Sequence, residues 1–313
     1  ASIITDRTLK DKCGELVESL GAVGYQVTLW DGAEADPTLD IALAASRFLL
    51  ESNPQWVIGF GGGSAIDTAK AAWVLYERPD LAAGDLTKSI LPKVKLNLRR
   101  KAKFVAVPTT SGTGADVTWV AVLTDRAMNR KIVFAHNDIV PDLSVLETNL
   151  TMTLPKDVTA STGLDVIAHA VDGYVSRQQN DFSDGPCLQA VKLAMDWLPL
   201  ACRDGSNLIA REKMQNAATI AGLGFGNSNT GLSHALGHSA GAVFHLSHGR
   251  AIGIALPYSL SYITSNPPIQ GIPAPVERLA ALARFVGINN PSPRHAAEVF
   301  ISRIRSIQKE IGE

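Results

Sequence analysis

WVIGFGGGSAIDTAKAA, residues 56–72, is the stretch that decides the fold. A short apolar run is followed by three consecutive glycines and a helix-forming segment, which predicts a strand, a tight turn and a helix. Free N–H groups at a helix N-terminus and the helix dipole favour a phosphate, and glycine lets a pyrophosphate approach the backbone. The pattern is not GxGxxG, and glycine is also the ordinary residue of tight turns, so this loop alone does not establish nucleotide binding.

Strand and helix patterns alternate around this loop through the first half of the chain. We predict strands at IIT (3–5), YQVTLW (25–30), WVIGF (56–60), KFVAVP (103–108) and KIVF (131–134). Helical periodicity predicts helices at LKDKCGELVESLG and LDIALAASRFLLES. This alternation is typical of parallel β-α-β units, and strands that are apolar throughout indicate a sheet covered on both faces.

The second half of the chain has a different character. After LSVLE (143–147) the sequence is rich in Ala and Leu, with helical periodicity and no further strand pattern. We therefore predict an α/β domain with a parallel, Rossmann-like sheet over residues 1–150. An all-helical domain is predicted over residues 151–313.

The composition indicates a folded protein and argues against several classes of partner. Lys and Arg number 29 against 30 Asp and Glu, a net charge of −1, whereas a nucleic-acid binder needs a basic excess. No apolar run reaches the roughly 20 residues that cross a bilayer, and the first residues do not resemble a signal peptide. Cys13, Cys187 and Cys202 form no CxxC pair. We expect a cytoplasmic protein without nucleic-acid or membrane partners.

A second turn rich in glycine and hydroxyl groups, VPTTSGTGAD (107–116), follows the strand KFVAVP. Two such loops at one end of a parallel sheet lie where open α/β folds bind ligands, which strengthens the prediction of a nucleotide site. Asp31 follows the strand YQVTLW, where its carboxylate could bind an adenosine ribose and repel a 2′-phosphate. Taken alone, an Asp before Gly32 is more simply a turn-forming residue. The functional interpretation predicts NAD in preference to NADP.

Histidines cluster in GLSHALGHSAGAVFHLSHG, residues 231–249, which holds four of the seven in the chain. His234 and His238 are four residues apart and so share one helix face. Upstream, Asp165 and His169 have the same spacing. An Asp/His pair on one helix and a His pair on another would form an oxygen and nitrogen site for a divalent transition metal.

The alternative is that these histidines are hydrogen-bonded core residues, which is the common role of a single buried His. For the cluster this explanation is weaker, because several imidazoles and a carboxylate among Ala, Leu and Gly are costly to bury unless a cation pairs them. Spacing favours His234 with His238 as ligands and leaves His248 undecided.

Together these motifs resemble a known family. GGGSAIDTAK, PTTSGTGADVT, the stretch from Pro155 through TGLDVIAHA, and GLSHALGH with FHLSHG are similar to the iron-containing, or group III, alcohol dehydrogenases. The resemblance spans essentially the whole chain and implies an NAD(P)-binding α/β domain of the dehydroquinate synthase-like fold, followed by a helical metal-binding domain. Similar family members extend beyond both ends of this sequence, so we expect both termini to be incomplete.

The resemblance also assigns roles to particular residues. It implies the metal ligands Asp165, His169, His234 and His248, so that His238 would line the site instead of binding the ion. It implies these cofactor-binding residues: Gly61, Gly62, Gly63, Ser64 and Asp67 in the first loop, Thr109, Thr110 and Thr113 in the second, Lys131, and Asp31, which would disfavour NADP. The chain departs from the usual family residues at Ala115-Asp116 (usually Ser-Glu), Asp172 (usually Glu), Gly237 (commonly Ala) and Ser247 (usually Pro).

The activity that the resemblance implies is reversible hydride transfer between a small primary alcohol and NAD. We expect Fe²⁺ as the metal and Zn²⁺ as the alternative, because with four protein ligands iron(II) expands its coordination more readily than zinc. His238, with an ordinary pKa of about 6.5, is the candidate proton relay. Phe225 and Trp119 are candidate pocket-lining residues, although core packing is the simpler role for each. The resemblance further implies a homodimer or larger homo-oligomer.

Other functions stay open at this point. A metal- and NAD-using lyase or synthase of the dehydroquinate synthase type has a related fold, but its polyanionic substrate needs several cations, and Arg250 is the only one in the sequence around the His cluster. The same reaction with glycerol or another polyol as the substrate is a further possibility. A nucleotide-binding, metal-stabilised structural subunit would show no NADH-dependent aldehyde reduction.

Overall fold

The structure is a computed structural model, and it describes residues 1–81, 95–126, 130–266 and 274–313. These residues form two compact units. The first unit comprises Ala1–Thr110 and Ala115–Leu150, and the second comprises Ser111–Gly114 and Thr151–Glu313. The predicted fold class, an α/β region followed by a helical region, is confirmed. Among the described residues, no helix has both the length and the apolar character that a membrane crossing requires.

The α/β unit is built on a parallel sheet. The strands described in this unit are β1 (Ser2–Asp6), β2 (Thr28–Ala33), β3 (Trp56–Gly61), β4 (Lys103–Pro108), β5 (Val120–Asp125), β6 (Arg130–Ala135) and β7 (Leu143–Ser144). Within the described residues, the main sheet has the order β2-β1-β3-β4-β7, and every pairing in it is parallel. The helices of this unit are α1 (Gly14–Ala22), α2 (Leu39–Ser52) and α3 (Gly63–Glu77).

Strands β5 and β6 form a separate antiparallel pair. The predicted strand KIVF is present as part of β6, but it does not belong to the parallel sheet, and β5 is not among the predicted strands. Burial alternates along the pair, since Ala121, Leu123, Ile132 and Phe134 are buried while the residues between them are half-buried or exposed. Apolar residues also occupy the outward face, for example the exposed Val133, and they hide this alternation in the sequence.

Two elements of the α/β unit have boundaries that differ by three residues or more from those predicted. Strand β2 starts three residues later than YQVTLW, because its first hydrogen bond runs from the Thr28 N–H to the Ala1 carbonyl (3.0 Å) at the start of β1. The predicted first helix is shorter, since Asp11–Cys13 forms a 3₁₀ turn and the α-helix begins at Gly14. Strand β2 also ends three residues later than predicted, at Ala33, so Asp31 lies inside the strand instead of after it.

The carboxyl ends of β1 and β3 lie at the point where the strand order reverses. Strand β1 has β2 on one side and β3 on the other, and open α/β sheets bind ligands at such a switch point. Asp6 ends β1 there, and a Cβ added to Gly61 at the end of β3 would lie 3.7 Å from its Oδ2 atom. The glycine loop therefore begins at the ligand-binding edge of the sheet.

The helical unit contains α4 (Lys156–Val175), α5 (Asp181–Arg203), α6 (Leu208–Phe225), α7 (Leu232–Phe244), α8 (His248–Ser265), α9 (Pro275–Phe285) and α10 (Pro293–Ile311). Helix α4 lies in its interior and contacts α5, α6, α7, α8 and α9. Side chains of α4 such as Leu164, Val166 and Ile167 are fully or almost fully buried. Asp165 and His169 lie in the same part of α4 and are also removed from water.

Glycines let α8 pack closely against its neighbours. A Cβ on Gly253 would lie 2.7 Å from Leu164 Cδ1 on α4. On α7, a Cβ on Gly237 would lie 2.5 Å from Ile252 Cγ1 of α8. Real side chains do not approach so closely, so glycine at both positions is what brings the three helices together.

Candidate metal centre

Four side chains from three helices converge in the helical unit: Asp165 and His169 on α4, His234 on α7 and His248 at the start of α8. One potential ligand atom from each lies within 4.8 Å of all the others. The Oδ1 atom of Asp165 is 3.6 Å from His169 Nδ1, 3.7 Å from His234 Nε2 and 3.6 Å from His248 Nε2. These distances exceed hydrogen-bond lengths, and they are close to the ~3.4 Å between donors on a tetrahedral ion with bonds of ~2.1 Å.

Three of these atoms are buried and have no hydrogen-bond partner within the described residues: Asp165 Oδ1, His169 Nδ1 and His234 Nε2. The three residues are only 1%, 5% and 4% exposed. A buried polar atom without a partner costs on the order of 1–3 kcal/mol. Three such atoms directed at one point therefore fit a cation, and an imidazole and carboxylate donor set suits a divalent transition metal.

The environment of His169 keeps its imidazole neutral. The pKa of His169 is lowered to about 3, mainly by burial; Asp165 opposes the shift and the nearby imidazoles add to it. A neutral ring retains the lone pair that binds a metal. The ring stacks on Phe225, with centroids 4.2 Å apart and planes 13° apart, so this candidate pocket residue packs directly against a potential ligand.

His238 lies beside the four residues without belonging to the set. Its ring centroid is 5.0 Å from that of His248 and 6.1 Å from that of His234, and its side chain is half-buried. The structure thus brings His248 together with the other three residues, whereas spacing alone favours His238. His248 itself is 42% exposed, so the cluster has one side open to solvent in this unit.

One carboxylate next to the cluster was identified in the sequence only as a departure from the family pattern. Asp172, 2% exposed on α4, lies with its Oδ2 atom 2.8 Å from His234 Nδ1. It follows His169 by three residues and Asp165 by seven, so all three lie along the same side of the helix. That periodicity is the sequence signal that could have placed Asp172 at the site.

The two predicted nucleotide loops adjoin at the carboxyl edge of the sheet. Gly61 and Pro108 are register partners at the ends of β3 and β4, and the Thr109 N–H donates to the Gly61 carbonyl (2.9 Å). A Cβ on Gly62 would lie 3.2 Å from Thr110 Cγ2. Gly61 has φ +147° and a Cβ there would lie 2.7 Å from Ala65 Cβ, so this position requires glycine.

Gly63 and Ser64 form the first turn of α3, immediately after these contacts. N–H groups in a first turn have no acceptor within their own helix. They are therefore available for an anion at the end of the sheet where Gly61, Gly62, Thr109 and Thr110 meet.

Three other predicted cofactor residues, Asp67, Lys131 and Thr113, take no part in the contacts between Gly61, Gly62, Thr109 and Thr110 described above. Asp67 is buried in α3, and its Oδ2 atom accepts the Val122 N–H of β5 (2.9 Å), while burial raises its pKa to about 6. Lys131 pairs with Asp36 (2.7 Å). Thr113 belongs to the segment that clusters with the helical unit.

Asp31 lies near the carboxyl end of β2, the edge strand next to β1. Its carboxylate is 3.1 Å from the Lys10 ammonium, which holds the pKa of Asp31 below its usual value. Asp31 is therefore ionised at neutral pH.

Trp119, the second candidate pocket residue, is half-buried, and its carbonyl accepts the His136 N–H (2.9 Å).

Both halves of the chain match sequence models of one family. Residues 1–148 match the model described as iron-containing alcohol dehydrogenase. Residues 159–313 match the model described as the C-terminal part of the Fe-containing alcohol dehydrogenase family.

Curated relatives agree with this match. The bifunctional aldehyde-alcohol dehydrogenase AdhE of Escherichia coli K12 is 36% identical over 331 residues, covering 100% of this chain and 37% of the relative. The NADPH-dependent butanol dehydrogenase of Clostridium saccharobutylicum is 33% identical over 292 residues, covering 93% of this chain and 72% of the relative. The chain thus spans little more than a third of the length of AdhE.

Solved structures give the same result. A 1,3-propanediol oxidoreductase superposes with a TM-score of 0.90 at 30% identity, covering 99% of this chain and 79% of the other. The alcohol dehydrogenase from Oenococcus oeni superposes with a TM-score of 0.89 at 32% identity and the same coverage. With both family models and these relatives in agreement, the chain belongs to the iron-containing alcohol dehydrogenase family.

Proposed function

We propose that this chain is a metal-dependent, NAD-linked alcohol dehydrogenase that interconverts a small primary alcohol and its aldehyde. The observation that carries the proposal is the convergence of three buried, unpartnered donor atoms, from Asp165, His169 and His234, with His248 beside them. The chain belongs to a family described as alcohol dehydrogenases, which supports the proposal.

The proposed metal ligands are Asp165, His169, His234 and His248. Fe²⁺ is the proposed ion and Zn²⁺ the alternative, because four protein donors leave room for a substrate only on an ion that accepts five or six ligands. When bound, the ion supplies Lewis acidity that lowers the pKa of an alcohol or polarises an aldehyde. The chain's own contribution is a donor set on α4, α7 and α8 in which Asp165, His169 and His234 are buried while His248 keeps one side open to solvent.

His238 is the proposed proton carrier. It lies next to His248 and His234 without joining the donor set, and its half-buried position leaves it a path to solvent. A neutral imidazole there can take the hydroxyl proton during alcohol oxidation, and the imidazolium can return it during aldehyde reduction. We therefore assign proton transfer to His238 and metal binding to His248.

The adjoining loops with Gly61, Gly62, Thr109 and Thr110 form the proposed pyrophosphate site, because they combine close backbone approach with the free N–H groups of α3. The relatives include an NADPH-dependent butanol dehydrogenase and a sulfoacetaldehyde reductase solved in complex with NAD⁺. For this chain we propose NAD, since the ionised Asp31 would repel the 2′-phosphate of NADP.

Diol oxidation is a second candidate, supported by the similarity to a 1,3-propanediol oxidoreductase. The lyase or synthase alternative lacks support, because Arg250, the cation expected near the His cluster, pairs with Glu313 at 2.8 Å.

We also propose a cytoplasmic homo-oligomer. The three cysteines are buried and free, which suits a reducing compartment, and light scattering on the purified protein measures the assembly.

The test combines metal analysis with an activity panel. The protein is loaded with Fe²⁺ under anaerobic conditions, or with Zn²⁺, and assayed with C2 to C4 aldehydes and diols using NADH and NADPH. His248→Ala should lose the metal and the activity, whereas His238→Ala should keep the metal and lower kcat by roughly 10²-fold or more. His295→Ala, on the surface of α10, is the control and should change neither. Absence of activity in the loaded wild type with every substrate would refute the proposal.

A further inference from the structure

We infer that Asp172 is the positioning residue for His234: it holds the proton on Nδ1 and thereby presents the Nε2 lone pair to the metal. The inference rests on the proposed metal centre. It concerns a residue outside the donor set that acts on the site through another side chain.

The two ring nitrogens of His234 have different surroundings. Nδ1 lies 2.8 Å from the Asp172 carboxylate, which can only accept a hydrogen bond when ionised. Nε2, on the other side of the ring, is buried without a hydrogen-bond partner and lies 3.7 Å from Asp165 Oδ1. A neutral imidazole carries one proton, so the carboxylate selects the tautomer in which Nδ1 is the donor and Nε2 is free.

The Asp172 carboxylate is itself held in place by donors from the start of α7. Its Oδ2 atom accepts the Gly231 N–H (2.9 Å), the Ser233 hydroxyl (2.5 Å) and, at 3.4 Å, the His234 N–H. These hydrogen bonds fix the orientation of the carboxylate toward His234. The same contacts tie the turn that carries His234 to α4, the helix that supplies Asp165 and His169.

The short side chain of Asp172 fits this turn closely. A Cβ on Gly231 would lie 3.1 Å from both Cγ and Oδ1 of Asp172, tighter than ordinary contact. Glycine at position 231 therefore lets the turn reach a carboxylate that is one methylene shorter than the Glu usual in similar sequences. We expect Asp172→Glu to displace the turn, even though it conserves the charge.

The principal experiment measures Zn²⁺ affinity by competition with a chelator. Asp172→Asn keeps the size of the side chain but removes its charge, and we expect Zn²⁺ to bind roughly 10- to 100-fold more weakly. The matched control is Asp142→Asn in the α/β unit, where the carboxylate accepts the Phe104 N–H (2.8 Å) and pairs with Arg99 (2.7 Å). This control loses a comparable structural carboxylate and should bind Zn²⁺ as the wild type does.

A second measurement is made on the wild type and holds even if Asp172→Asn does not fold. In the Zn²⁺-loaded protein with ¹⁵N-labelled histidine, the His234 signals, assigned with His234→Gln, should show a protonated Nδ1 and a metal-bound Nε2. Unchanged Zn²⁺ affinity in Asp172→Asn overturns the inference while leaving the metal centre intact, and so does a Zn²⁺-loaded wild type in which His234 binds the ion through Nδ1 and carries its proton on Nε2. Absence of Zn²⁺ binding by the wild type overturns both.

Discussion

Gly249 on α8 lies directly against the carbonyl oxygen of Ser161 on α4, so closely that a Cβ on residue 249 would be 2.1 Å from that oxygen. The same Cβ would lie 3.2 Å from the Cβ of Asp165. Because His248 is the preceding residue, this backbone contact sets its separation from Asp165, which is 3.6 Å between the nearest ligand atoms.

Gly249→Ala should therefore damage both packing and metal binding. The added methyl group has to push α8 away from α4, which we expect to destabilise the helical unit by about 1–3 kcal/mol and to weaken Zn²⁺ binding at least tenfold. Chemical denaturation and chelator competition measure the two effects. Gly185→Ala, a helical glycine with no atom within 4 Å of the added Cβ, is the control. Wild-type Zn²⁺ affinity in Gly249→Ala would contradict this account.

Metal binding should stabilise the helical unit, because an ion would satisfy the three buried donor atoms that have no partner. At free Zn²⁺ about 100 times the dissociation constant, the expected stabilisation is about 2.7 kcal/mol. Calorimetry should show this as a higher unfolding temperature that returns to its original value on addition of EDTA. His248→Ala should show little of the increase, while His295→Ala should show all of it. An equal increase in His248→Ala would place the ion elsewhere.

A buried pair of charges in α3 should make the α/β unit sensitive to pH. Lys70 donates to the carbonyls of Thr118 (2.6 Å) and Val120 (3.0 Å), and burial lowers its pKa to about 8. Burial raises the pKa of Asp67 from 3.8 to about 6. Between pH 3.8 and about 6, Asp67 is protonated in the folded chain and ionised in the unfolded chain. Lys70 stays protonated throughout this range.

The contribution of Asp67 to stability is therefore complete below about pH 3.8 and is lost as the pH rises through about 6. We expect Asp67→Asn to gain stability relative to the wild type across this range, as measured by urea unfolding at about pH 4 and pH 6.5. Asp196→Asn, at a side chain that is 51% exposed, provides the comparison. A constant difference between Asp67→Asn and wild type at the two pH values would argue against the shifted carboxyl.

Asp31 should determine the choice between NAD and NADP. Replacing it with glycine removes the charge that would face a 2′-phosphate and leaves Lys10 unpaired nearby, so NADPH should gain at least tenfold in kcat/KM relative to NADH. Steady-state kinetics with both cofactors and one aldehyde measure the ratio. Asp40→Asn, in the first turn of α2, removes an exposed carboxylate without this effect. An unchanged ratio in Asp31→Gly would mean that Asp31 has no part in the choice of cofactor.

Features with local signals could be predicted from the sequence. Helix α2 coincides with the predicted LDIALAASRFLLES, because the Thr38 hydroxyl caps it by accepting the Ile41 N–H (3.3 Å) and its apolar face is periodic. The glycine loop is equally local, since Gly61 and its neighbours must allow the chain to turn from β3 into α3. The hairpin of β5 and β6 was missed as a unit, because its pairing is not visible in either strand alone.

The ligand cluster shows where spacing fails. His234 and His238 share a helix face, but α7 ends at Phe244 and His245 adopts a left-handed conformation with φ +55°. The chain therefore changes direction, and His248 starts a new helix that returns to the site. Asp172 meets His234 across a separation of 62 residues. Periodicity does not bring His248 to the site, and although it places Asp172 on the same side of α4 as Asp165 and His169, it does not identify His234 as its partner; resemblance to a family supplied His248 and left Asp172 unassigned.

Residues 111–114 follow β4 in the chain yet belong to the helical unit. There, a Cβ on Gly112 would lie 2.7 Å from Thr162 Cβ, and a Cβ on Gly114 would lie 2.8 Å from Gly222 Cα. A gene fragment that begins after residue 150 would omit this segment and leave α4 and α6 without part of their packing. Recombination at that junction would therefore not transfer a complete helical unit.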